Sequence, residues 1–129
     1  MLDVENALVS WLQSEVSPAK VVTETSNALT PGTYRVSRIG GRDDSVVIDR
    51  ARIDIEFFGA TRNAARKGAE VARSLVLTAL PGQTLTDDDA ATGFVVGTET
   101  ETAPAVVPYG NTNLRRALTT VRVHIHTIP

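Results

Sequence analysis

His124 and His126 are the only histidines of the 129-residue chain, and they stand two apart. On a β-strand that spacing puts both rings on one face, where neutral imidazoles can ligate a metal ion. Asp54 or Glu56, also two apart, can supply a third ligand if their strand lies beside the histidines. The same two carboxylates are the raw material of a glycosidase pair. Arg50 and Arg52 share their alternation, however. Arginine and carboxylate mixed on one strand face favour cross-strand ion pairing or an interface, and the histidines then simply complete a polar face. The expectation is no catalytic residue and no metal.

Other chemistries find still less support. The chain has no cysteine, which removes thiolate nucleophiles, disulfides, iron–sulfur clusters and cysteine-based zinc sites. Gly40 and Gly41 form the only glycine pair and fall between strands, so neither phosphate-cradling glycine motif is present. No Gly-x-Ser-x-Gly sequence occurs, and no serine has a histidine near it in sequence. Asp87, Asp88 and Asp89 lack the alternating oxygens and the glycine of an EF-hand loop. One Trp, two Tyr and three Phe are too few for a sugar-binding or base-stacking platform. No cofactor is expected.

The elements that carry these residues follow from periodicity. Asp3 can cap a helix whose stripe is Val4, Ala7, Leu8, Trp11 and Leu12, ending before Pro18. A short apolar run predicts a strand at 21–23, and alternation, with Tyr34 and Val36 on one face and Arg35 and Ser37 on the other, predicts one at 33–39, followed by a hairpin tip at 40–45. Strict alternation from Val46 to Phe58 predicts the clearest strand, with Val47, Ala51, Ile53, Ile55 and Phe57 inward and Arg50, Arg52, Asp54 and Glu56 outward. Thr61 can cap a second helix, with Gly68, Val71, Ala72, Leu75 and Ala79 as its buried side and Pro81-Gly82 as its end. Small residues on that side predict a close approach to a sheet. The stretch 83–105 is Thr-rich and acidic, and reads as a hairpin of 94–96 against 105–107 with a long polar tip. Leu114 to Ile128 predicts a final strand with Val121, Val123 and Ile125 inward and Arg122, His124 and His126 outward.

The expected architecture is a single α+β domain over residues 1–129, in the order α-β-β-β-α-β-β, with two helices on one face of a mostly antiparallel sheet. Arg35, Arg50, Arg52, Asp54, Glu56, Arg122, His124 and His126 mark the other face. Fifteen acidic against 13 basic residues give a net charge of −2, without the basic excess of a dedicated nucleic-acid binder. All the bases but Lys20 and Lys67 are arginine, a type enriched at protein interfaces. No apolar run reaches the ~20 residues of a membrane span, and the N-terminal residues lack the basic and apolar regions of a signal peptide. No membrane partner is expected.

Three stretches stand out together, in order along the chain. The first is 35–44, Arg-Val-Ser-Arg-Ile-Gly-Gly-Arg-Asp-Asp. The second is 49–62, Asp-Arg-Ala-Arg-Ile-Asp-Ile-Glu-Phe-Phe-Gly-Ala-Thr-Arg. The third is 108–116, Pro-Tyr-Gly-Asn-Thr-Asn-Leu-Arg-Arg, followed by a strand. Together these stretches resemble the tail-terminator (minor tail) proteins of long-tailed siphophages, especially those of actinobacteria, and the resemblance implies a structural protein of the virion without catalysis. It would form a homo-oligomeric ring, commonly hexameric, at the head-proximal end of the tail, made in the host cytoplasm during assembly. Its implied partners are the tail tube protein and the head-neck connector protein. DNA would cross the lumen without specific binding. Matching positions make Tyr109, Asn113, Arg115 and Arg116 candidate interface residues. Arg42, Asp43 and Asp44 are candidates for axial contact, and Arg50 and Arg52 for the charged face. The alternatives are another neck (stopper) component, a small metal-dependent enzyme using His124 and His126, or a binding module.

Overall fold

Asp3 caps the first helix, its carboxylate accepting from the Asn6 amide, and α1 runs Val4–Val16. In the computed structural model, which describes residues 2–23, 29–43, 48–110 and 113–127, the chain continues through β1 (Lys20–Val22), β2 (Thr33–Asp43), β3 (Ile48–Gly59), α2 (Arg62–Thr78), β4 (Thr84–Thr86), β5 (Thr92–Val107) and β6 (Arg115–Thr127). The strands form one sheet in the order β1-β2-β3-β6-β5-β4. Only the β1–β2 pair is parallel; the other pairs are antiparallel. This is the expected α+β fold; β4 is not among the expected strands.

Alternation in β3 and β6 has the predicted consequence. Ala51, Ile53, Ile55, Val121, Val123 and Ile125 are buried on one face, and the register sets Ile53 opposite Val121 and Ala51 opposite Val123. Both helices cover that face. Val4, Ala7, Leu8 and Leu12 of α1 and Ala72 and Val76 of α2 join the same core, with Trp11 packed against it.

The expected hairpin tip at 40–45 is strand as far as Asp43, which pairs with Asp49. Two further expectations are corrected. The buried side of α2 is Ala65, Ala69, Ala72 and Val76, rotated from the predicted stripe; Val71 is 51% exposed. The sheet selects the smallest residues because the helix lies so close: a Cβ on Gly68 would collide with the Phe57 ring, and Ala65 and Ala69 pack directly on Ala117. The second correction concerns 83–107. There is no 94–96/105–107 hairpin and no polar loop at 97–104; the segment is one 16-residue strand, β5, paired with β6 from Gly93 opposite Thr127 to Val107 opposite Arg116. Threonine suits a pleated strand. Among the threonines Glu101 finds Arg52 on β3 and Arg122 on β6, and Glu99 faces His124 on β6, so polarity here marks an open sheet face and not a loop.

Asp87, in the β4–β5 connection, fastens α1 to the sheet. Its carboxylate accepts from the amides of Asp3 (2.8 Å), Asp89 (2.9 Å) and Ala91 (3.0 Å). These bonds, the Asp3 amide first, hold its pKa below the ordinary carboxylate value. Beside it the Asn6 side chain donates to Asp88 Oδ2 and accepts from the Asp88 amide. A depressed folded-state pKa gives stability that is present above the unfolded value, near 4, and lost as pH falls through the lower folded value. Asp87→Asn should therefore reduce stability at neutral pH, with the difference from wild type closing in acid. Urea unfolding at both pH values checks this; a difference independent of pH would contradict it.

Candidate functional site

The face of the sheet away from the helices carries the residues whose chemistry the sequence singled out. Register sets Arg50 opposite His124, Arg52 opposite Arg122, Asp54 opposite Thr120 and Glu56 opposite Leu118. Arg35 stands opposite Glu56 on the other side, and Glu99 opposite Arg122. The candidates from four strands thus share one face.

Ion pairing organises this face at two places. Glu101 accepts from Arg52 through both oxygens, each at 2.8 Å, and from Arg122 at 3.3 Å. The Arg52 bonds are the first cause of the lowered Glu101 pKa, and in turn keep Arg52 protonated more firmly. Both groups are solvated, so this network fixes side-chain geometry more than it adds stability. Beside it, Gly41, Arg50, Arg52 and Arg122 line a depression of about 370 Å³. Gly41 has φ +103°, and any Cβ there would strike the Arg50 carbonyl, so the hairpin backbone requires glycine at this point.

The second network is more enclosed. Glu56, 7% exposed, accepts from Arg35 Nε at 2.7 Å and Arg35 Nη2 at 2.8 Å, and from Arg116 Nη1 at 3.2 Å. Its hydrogen bond is the leading cause of the raised Arg35 pKa. Beneath the charges lies Phe58, fully buried, with the Arg35 guanidinium 5.2 Å from its centroid and the Tyr109 ring edge-on at 5.1 Å. Arg116 in turn sits 5.5 Å over Tyr109 and donates to the Pro108 carbonyl at 2.8 Å. Among the described residues, its buried Nε has no partner. The open face therefore has its own small core at the end where β3 finishes and β6 begins.

The metal alternative loses its third ligand. His124 faces Glu99 at 3.3 Å, whereas Asp54 accepts from Thr120 at 2.6 Å and Glu56 is held by the two arginines. Asp54 is four residues along β3 from Arg50, the partner of His124, which is roughly 13 Å. Among the described residues no group of three His, Asp or Glu can hold a metal ion, and no described helix is long and apolar enough to cross a membrane.

The third motif divides. Tyr109 and Arg116 are engaged inside the molecule. Arg115 and Asn113 also have partners within the molecule, Arg115 donating to the Leu114 carbonyl at 3.3 Å, but both are exposed, and Arg115, with Arg62, Val106, Val107, Pro108, Tyr109 and Leu114, lines a cleft of about 500 Å³. Arg62 and this cleft were not apparent from sequence, because α2 and the β5–β6 connection meet only in the fold. Asp44 lies outside the described residues, and only the backbone of Arg42 and Asp43 is described, at the end of β2.

No family model matches the sequence, and no curated protein matches it. The fold is similar to that of a solved chain in the virion of a native gene transfer agent particle, with a TM-score of 0.53 and 17% identity over 98% of this chain and 99% of that one. At that identity the likeness establishes a shared fold.

Proposed function

We propose that this chain is a structural protein of a phage-like virion, without catalytic activity or cofactor, and that it acts as the tail terminator. The observation that carries the reading is the end-to-end similarity in fold to a chain of a gene transfer agent virion. It accompanies the resemblance of segments 35–44, 49–62 and 108–116 to siphophage terminators. In this reading copies of the chain form a ring, commonly hexameric, at the head-proximal end of the tail. The ring stops growth of the tube protein and offers its other side to the head-neck connector protein. Ring formation needs heterologous contacts, one patch of each subunit against a different patch of the next. The uncovered sheet face, with Arg50 and Arg52, is a proposed contact surface, and Arg42, Asp43 and Asp44 are proposed for axial contact with the tail or neck partner. A net charge of −2 suits a lumen that DNA crosses without being held.

Particles assembled without this protein test the proposal. Loss of a terminator should give tails of uncontrolled length that do not join heads, and purified protein added to growing tubes should cap one end in negative-stain images. Tails of normal length in its absence would overturn the terminator role. Were those tails also detached from full heads, the protein would be a neck stopper instead.

A further inference from the structure

The two ends of the sheet differ in chemistry. β5 begins beside the end of β6 and finishes beside its start, so the β4–β5 connection and the β5–β6 connection lie at opposite ends of the domain. Thirteen residues of β6 separate them by about 40 Å. At the first end Asp88 and Asp89 are exposed on a loop whose backbone is tied by Asp87. The Asp87 amide donates to the Ala91 carbonyl and the Ala90 amide to the Asp87 carbonyl, and Ala90 is held at φ 62°. The loop thus needs little ordering on contact, which removes part of the entropic cost of binding. At the other end is the 500 Å³ cleft. Arg62 and Arg115 supply positive charge, while Val106, Val107, Pro108 and Leu114 supply apolar walls. Arg62 has no ion pair among the described residues, and it opens α2 beside the Thr61 cap, where the helix dipole adds positive potential.

A second observation argues against the most obvious other mode of association, which is sheet extension. β4 and the two residues before it cover only 92–95 of β5, leaving a long outer edge. That edge has register breaks at 95/97, 100/102 and 102/105, contains Pro104 and presents Glu99 and Glu101. Bulges, proline and charge are the features that prevent edge-to-edge pairing.

We infer that copies of this chain associate head to tail, the acidic Asp88–Asp89 loop of one copy seating in the Arg62–Arg115 cleft of the next. The occupant is a second copy because the complementary charge is at the opposite end of the same molecule, and such a contact repeats around an axis. The inference rests on the ring reading above and adds the residues of its contact.

Engineered cysteines test it cleanly, since the chain has none of its own. Asp89→Cys and Arg115→Cys in one chain are too far apart to be bridged within a molecule by a short bis-maleimide. The double variant should give a ladder of covalent oligomers ending at the ring size; neither single variant should. A second test uses charge. Arg62→Glu/Arg115→Glu and Asp88→Arg/Asp89→Arg should each weaken self-association by at least about tenfold, and an equal mixture should restore it by alternating the two. Absence of the ladder, a covalent dimer from a single variant in yield equal to the ladder, or no rescue on mixing would overturn the contact. If those results came with normal capping of tails, the terminator role would stand and only this contact would fall. A ladder from protein that never caps tails would do the reverse.

Discussion

Phe58→Ala is expected to lower the unfolding free energy by about 3–4 kcal/mol, although Phe58 lies on the sheet face that no helix covers. Its side chain is fully buried between the sheet, the Tyr109 ring at 5.1 Å and the Arg35 guanidinium at 5.2 Å. Truncation removes the apolar area and the edge-on aromatic contact, itself worth about 0.5–1.5 kcal/mol. It also leaves a void, because Arg35 and Arg116 are tethered to Glu56 and cannot settle into it. In a domain of this size such a loss should lower Tm by on the order of 10 °C. Urea denaturation followed by the fluorescence of Trp11, which sits on the other face against the helical core, reports whether the loss is global. A loss below about 1 kcal/mol would mean that the connection bearing Tyr109 collapses freely into the space, and that the second core is only a surface feature.

That second core explains where sequence reasoning succeeded and where it stopped. Alternation in β3 and β6 was legible because each strand has one face against helices and one against solvent, and the period of two survives in both. It also put Glu56 correctly on the uncovered face. What alternation could not reveal is that Glu56 is buried there. Its partners Arg35 and Arg116 are 21 and 60 residues away, and the Phe58–Tyr109 contact depends on a turn whose course no local pattern dictates. In α2 hydrophobicity pointed to Val71, yet close packing on the sheet favours alanine, and the helix turned its smallest residues inward. In β5 a run of Thr and Glu has the polar composition of a loop, and its acids are exposed. Arg52 and Arg122 beside Glu101, and His124 beside Glu99, make these acids compatible with an open sheet face.

Replacing Glu56 with alanine should cost about 2–4 kcal/mol, near the lower part of the range for breaking a buried pair, because both arginines retain partial access to water (16% and 28% of their side-chain surfaces). The loss has two parts. Two guanidinium groups keep their desolvation over Phe58 and Tyr109 without an anion between them, and the 2.7 Å and 2.8 Å bonds to Arg35 disappear. Glu56→Gln keeps the shape and one acceptor, and should cost less. A double-mutant cycle with Arg116→Ala isolates the long 3.2 Å arm; neighbours in one network are expected to couple by about 0.5–3 kcal/mol. Additive effects would show that Arg116 is held by the Pro108 carbonyl and the Tyr109 ring alone. The cycle bears on assembly as well. Arg116 ties Pro108 and Tyr109 to the sheet, and both line the cleft proposed to receive the neighbouring copy. Glu56→Ala should therefore weaken oligomer formation even under conditions where the monomer remains folded. Sedimentation showing unchanged oligomers from a destabilised Glu56→Ala protein would separate the buried network from the interface.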